Sequence, residues 1–247
     1  MPKQLSDQVP NPICLLMIGP AGTGKTTLAT LFPRPYIISM DKNLQGPKKV
    51  WEQVYKKPCP ALFDTVTEDD NGKPIQLNMQ FQRAITLAKA AYAGDFCDTV
   101  IFDSTTTMSP MMIADVLRQS PTKTGNMEIP SWGQYLHLWQ TLLSMARSST
   151  KHNIFIGHEE VQGSDIDDKI LRFDLALPGK MQSQLPALCT DVWRIEASEK
   201  LEGNKRVRSH SARAIQSERH PNLKASLNVP DRFEITPEFV ASIIPKP

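Results

Sequence analysis

Short, wholly apolar runs alternate along this chain with longer stretches in which apolar residues return every third or fourth position. Ile13-Cys14-Leu15-Leu16-Met17-Ile18 is the first such run and closes on Gly19. A strand covered on both faces has this continuous character, whereas a half-exposed strand alternates. Tyr36 to Met40, ending at Asp41, reads as a second strand, Thr99 to Phe102, ending at Asp103, as a third, and Asn153 to Gly157 as a fourth. Helical spacing appears between them. Phe81, Ile85, Ala88 and Tyr92 share one helix face, Trp132, Tyr135, Trp139, Leu142 and Ala146 another, and a further helix is expected near Lys48 to Lys56. The helix beginning near Lys25 is cut short by Pro33 and Pro35, which lack the amide donor and disfavour helical backbone in the preceding residue.

Alternation of strands with helices predicts an α/β fold with a mostly parallel sheet. Ser120 to Pro130 is rich in turn formers and reads as a mobile loop. After His158 the pattern changes. Residues 159–173 suggest a β-ribbon or flap, Pro178 to Leu188 a short helix, and residues 191–216 a hairpin turning near Glu202-Gly203-Asn204. The expected organisation is a polar segment over residues 1–11, one domain over residues 12–230 that includes the hairpin, and a tail over residues 231–247 with a short helix.

Charge and cysteine usage narrow the classes. With 28 basic and 26 acidic residues in 247 the formal charge is only +2, so attraction to nucleic acid must come from local clusters. Lys200, Lys205, Arg206, Arg208, Arg213, Arg219 and Lys224 form such a cluster, which reads either as a surface tracking a phosphodiester backbone or as a solvated basic hairpin. Cys14, Cys59, Cys97 and Cys189 are widely spaced, which disfavours a zinc knuckle or disulfide framework. No stretch approaches the ~20 apolar residues of a membrane span, and the opening residues lack a signal-peptide core. The expectation is a soluble, cytoplasmic protein.

Candidate chemistry centres on Gly19-Pro20-Ala21-Gly22-Thr23-Gly24-Lys25-Thr26-Thr27, which satisfies G-x-x-x-x-G-K-[ST] at every fixed position. Such a loop lets backbone amides converge on phosphate oxygens, while Lys25 reaches the β and γ phosphates and Thr26 offers a hydroxyl to Mg²⁺. The cofactor expected is therefore ATP or ADP with Mg²⁺. Asp103, at the carboxyl end of what is expected to be a neighbouring strand, suits the metal shell, with a turn cap as the plainer reading. Hydrolysis also needs a group to orient water, for which Asp41, His158 and Glu159 are candidates.

The ordered set GPAGTGKTT, FPRP, YIISMD, TVIFDS, SWGQY, IFIGHEE and SERHPNLK resembles phage and prophage AAA-type ATPases with a RecA-like core, including Sak-type single-strand annealing and recombination ATPases. The resemblance spans residues 12–230 by motif order. It implies ATP hydrolysis, Mg²⁺ dependence, binding of single-stranded DNA, and self-assembly into a ring or filament, in the host cytoplasm if the gene is a phage's. It also implies work beside a single-strand-binding or annealing protein. Carried onto this chain, Lys25 and Thr26 are the phosphate-loop pair, Asp103 the magnesium-shell aspartate, His158 the sensor, and Arg219 a residue reaching a neighbour's site. The loops at Thr105 to Pro130 and Val161 to Pro178 are the expected DNA-facing segments, although Asp165, Asp167 and Asp168 argue against the second being a simple electrostatic clamp. One departure stands out: RecA-like proteins usually carry glutamate where this chain has Asn43, and an amide accepts no proton. Two other readings stay open, a phosphotransferase acting on a small nucleoside-like substrate and a nucleotide-gated assembly factor with negligible turnover.

Overall fold

The computed structural model describes residues 12–163, 170–202 and 205–244. Its main sheet has eight strands. Six run parallel: β1 (Cys14–Ile18), β2 (Pro35–Ser39), β3 (Leu62–Thr65), β4 (Thr99–Asp103), β5 (His152–Ile156) and β8 (Asp191–Glu202). Two more, β9 (Lys205–Arg213) and β10 (Arg232–Glu234), extend one edge antiparallel, giving the order β10-β9-β8-β1-β5-β4-β2-β3. A separate ribbon pairs β6 (Glu159–Gly163) with β7 (Ile170–Leu175). Its turn, with Asp165, Asp167 and Asp168, and the hairpin turn at Gly203 and Asn204 lie outside the described residues. The mostly parallel α/β sheet with flanking helices expected from the sequence is the one formed.

Period-two geometry divides the apolar runs between two cores. Cys14, Leu16 and Ile18 face one side of the sheet with Tyr36, Ile38, Val100, Phe102 and Phe155. Leu15 and Met17 face the other with Ile37, Ile101, Ile154, Ile156, Trp193 and Ile195. Helices α3 (Leu77–Ala93), α4 (Thr105–Gln119), α5 (Ile129–Ser148) and α6 (Met181–Leu188) cover the first side. On the second lie α1 (Lys25–Ala29) and α7 (Pro237–Ile243), the latter through Val240, beside Phe233 and Ile235. Helix α2 (Gln45–Val50) continues into a π-helical turn over Trp51–Tyr55.

Three expectations need correction. An edge strand, β3, escaped the sequence reading because its Leu62 and Phe63 are exposed and no buried run marks it. The strand ending at Asp103 is therefore fourth in the chain, and it does not neighbour the phosphate-loop strand: β5 lies between β1 and β4. Most of the Thr105 to Pro130 segment is helix, not loop. Ser104 caps α4 by accepting a hydrogen bond from the Thr107 amide, and Met108, Met111, Met112 and Val116 bury one face of it. Irregular chain runs only from Ser120 to Glu128, and Ile129 and Pro130 already begin α5. On α5, Tyr135, Trp139, Leu142 and Ala146 are buried as expected, whereas Trp132 stays partly exposed with its ring edge-on to Tyr135.

Candidate functional site

The loop of residues 19–24 turns from the end of β1 into α1, and two of its glycines are required by shape. At Gly19, φ is +146° and a β-carbon would sit 2.5 Å from the Ile195 carbonyl oxygen. At Gly24, φ is +85° and a β-carbon would meet the His210 ring at 3.0 Å. Thr23 braces the turn by donating from its hydroxyl to the Pro20 carbonyl at 2.9 Å. A second brace comes from β9, where His210 Nδ1 lies 2.7 Å from the Thr23 carbonyl oxygen and donates to it in the tautomer that carries its proton there.

Lys25 is buried and donates from Nζ to the carbonyls of Gly19 at 2.9 Å and Pro20 at 2.7 Å. Burial pushes its pKa down to about 8, against the pull of Asp103 and Glu159. Thr26 donates from Oγ1 to Asp103 Oδ2 at 2.7 Å. Burial raises the Asp103 carboxyl to about 6; the Thr26 bond and Lys25 act downward, and Asp41 acts upward. At neutral pH the loop thus holds an ammonium and a carboxylate together in a partly desolvated corner.

Both groups line a cleft of about 910 Å³, as do Ala21, Gly22, Gly24, Thr26 and Thr27. His158, half-buried, lines the same end, and burial, then Lys25, holds its pKa below the usual histidine value, so the ring is neutral at pH 7. Its backbone is pinned by donation from its amide to Thr106 Oγ1 at 3.0 Å. Asp41 and Asn43 also line the cleft, and Asp41 Oδ1 accepts the Asn43 amide at 3.0 Å.

The opposite end was not foreseen. Pro47, Val50, Val54 and Tyr55 from α2 and its π turn face Ile235 and Thr236 after β10, with His210 along one wall. These apolar side chains share the cleft wall with Ser209, Glu234 and Thr236.

Two predicted residues lie elsewhere. Glu159 does not line the cleft: its two oxygens accept from Arg194 Nε and Nη2, each at 2.7 Å, and its side chain is buried. Both of its carboxylate oxygens are thus engaged by Arg194, while its charge still acts on Lys25. Arg219 is exposed beside Arg194 and Arg213, away from its own chain's nucleotide loop. The side chains of Lys200, Lys205, Arg206 and Arg208 are outside the described residues.

The donors present fit a magnesium nucleotide. Thr26 and Asp103 offer only oxygen, the ligand type a hard divalent cation takes, and the remaining shell would come from phosphate and water. Among the described residues no cluster of three His, Cys, Asp or Glu side chains offers a protein-only metal site. Among the same residues, no helix is long and apolar enough to cross a membrane.

A family model described as an AAA domain matches residues 11–223. Among solved structures, flagellar accessory protein FlaH from Methanocaldococcus jannaschii is 12% identical and aligns over 87% of this chain and 84% of its own, with a TM-score of 0.39. The RadB recombinase is 18% identical over 82% of this chain and 80% of its own, with a TM-score of 0.44. No curated protein sequence matches the chain.

Proposed function

Because the chain belongs to the AAA-domain family, as the match over residues 11–223 shows, we propose that it is a Mg²⁺-requiring ATPase whose nucleotide state governs assembly on single-stranded DNA during phage-type recombination or annealing. One observation carries the nucleotide part: Lys25, Thr26, Asp103 and His158 line one cleft together with the apolar side chains of Pro47, Val50, Val54, Tyr55 and Ile235. In this reading the backbone of residues 19–27 wraps the phosphates and Lys25 exchanges its two loop carbonyls for phosphate oxygens. Thr26 and Asp103 hold the metal, which when bound draws charge from the phosphates. Tyr55 and Ile235 flank the base.

Besides Asp103 the cleft holds the carboxylates of Asp41 and Glu234; it is Asp41 whose charge acts on Asp103 and His158, and Asp41 is the one that orients a water. His158, neutral and fixed through its amide, reads the terminal phosphate and passes its presence to the ribbon that follows. Support for DNA comes from the resemblance and the basic hairpin. With α4 folded as a helix, residues 120–128 and the β6–β7 ribbon are the segments left to face a strand. A homo-oligomer, with Arg219 reaching a neighbouring copy, and a single-strand-binding or annealing partner complete the proposal.

Phosphate release measured with and without single-stranded DNA tests it, with Lys25→Ala as the control. Stimulation by the strand that vanishes in the variant supports the reading. Turnover indifferent to DNA but dependent on an added nucleoside points to a phosphotransferase instead. The pairing of Glu159 with Arg194 favours a second reading in which turnover is negligible and ATP serves assembly; size exclusion with a non-hydrolysable analogue would then show a larger species and no phosphate release.

A further inference from the structure

On the face of the sheet opposite α1, three arginines stand in one cross-strand row: Arg194 of β8, Arg213 of β9 and Arg232 of β10. Like charges directly opposite one another on adjacent strands repel, so each needs an anion. Arg194 has two, Glu159 and Glu196, and Arg232 reaches Glu196 at 3.1 Å. Arg213, between them, has no ion pair among the described residues, and its Nε is buried without a hydrogen-bond partner. A half-buried guanidinium left unpaired between two others is costly unless something supplies the missing charge.

What Arg213 faces is a cleft of about 560 Å³ lined also by Phe173, Arg194, Arg219 and His220, with the exposed carboxylate Glu218 at its margin. His220 is only 7% exposed, and its Nδ1 is a second buried atom without a partner. The ring is held by stacking on Phe173, with centroids 4.8 Å apart, and the Arg194 guanidinium lies 4.7 Å from the centre of the same phenyl ring. Unpartnered buried nitrogens in a stacked, ordered wall mark a place where a hydrogen-bonding group belongs, Arg213 Nε as a donor and His220 Nδ1 as a donor in the tautomer that carries its proton there. The nucleotide cleft is a different one, sharing no lining residue with this one.

We propose that the Arg213–His220 cleft is a second anion site, built to bind a phosphate group. Arg213 and His220 donate from the walls and Arg219 from the rim. Donors arriving from separate directions suit a tetrahedral oxyanion better than a flat carboxylate, and arginine forks match phosphate oxygens in pairs. The phosphate comes either from the backbone of a nucleic-acid strand or from a free phosphate.

Ring resonances of the five histidines in the full chain test this, at fixed pH and ionic strength. Inorganic phosphate is titrated first, then a thymidine octanucleotide without terminal phosphate. The His220 signal, assigned with His220→Gln, is expected to move saturably, and at least tenfold more probe is needed in Arg213→Gln. Arg219→Gln, a rim change that leaves the core alone, should weaken binding by a smaller factor. Movement with phosphate alone identifies a free-phosphate site; movement with the oligonucleotide identifies the strand backbone. His158 and His210 report the nucleotide cleft, so movement there with a still His220 overturns the proposal, as does a His220 shift unaltered in both variants.

Discussion

The two ends of the nucleotide cleft are built differently. The phosphate end takes most of its chemistry from nine consecutive residues, 19–27, whose backbone shape is written into their glycines. The far end is assembled from two segments about 180 residues apart, a π turn after α2 and the chain following β10. Local backbone preference makes the first end; only docking of the C-terminal strand against β9 makes the second. The lesson is that the shape of a phosphate loop can be encoded by a motif, while the rest of the cleft depends on the fold being complete.

The largest test of this contrast is Lys25→Ala. Removing the ammonium should lower steady-state hydrolysis at least ~100-fold, the scale seen when a preorganised electrostatic contact is lost. Phosphate release measures it, and near-wild-type turnover would break the assignment of the phosphate end. Asp103→Asn should abolish Mg²⁺-dependent turnover comparably, with an opposite effect on folding. The folded pKa of about 6 lies above the ordinary 3.8. Native protein therefore binds more protons between those values, and its stability falls as pH rises through that window. Above pH 6 the full penalty of up to about 3 kcal/mol is present. Urea denaturation of ligand-free protein should show Asp103→Asn gaining up to that amount at pH 8 and about half of it at pH 5; an equal gain at both values would contradict the burial argument.

A pH series sharpens the same point. Lys25 carries its proton below about 8 and Asp103 is ionised above about 6. Affinity for magnesium nucleotide should therefore peak between these values and fall by up to tenfold per unit on either side. A fluorescent nucleotide titrated from pH 5 to 9 reads this directly, and a flat profile would show that the two charges are not those engaged. The far end predicts smaller effects. Tyr55→Ala should weaken ATP about tenfold through lost apolar contact while leaving pyrophosphate affinity unchanged, which calorimetry with both ligands separates. Least of all, His210→Ala, which removes one brace on the Thr23 carbonyl, should weaken both ligands about threefold.

Helix α4 shows how the reading of the sequence failed where it did. The resemblance made Thr105 to Pro130 a loop, yet Ser104 caps the segment and four apolar side chains bury against α3 and α5, so packing outweighed weak intrinsic preference. Strand β3 is the reverse case, held by pairing with β2 alone and carrying no buried pattern to read. Glu159 illustrates a third kind of gap. Its position after His158 suggested a base, but its partner Arg194 lies 35 residues on and is brought beside it by the parallel pairing of β8 with β1.

By itself the amino-acid order determined the phosphate loop, the parallel α/β class and the strand-ending carboxylate, because each follows from short-range backbone and periodicity rules. Tertiary structure alone decided that β5 separates β1 from β4 and yet leaves Asp103 within 2.7 Å of Thr26, that Ile235 and Tyr55 line one cleft, and that Arg213, with no ion pair among the described residues, stands between two arginines. Those depend on which strands lie side by side, and strand order is set by the packing of whole faces rather than by any local run of residues.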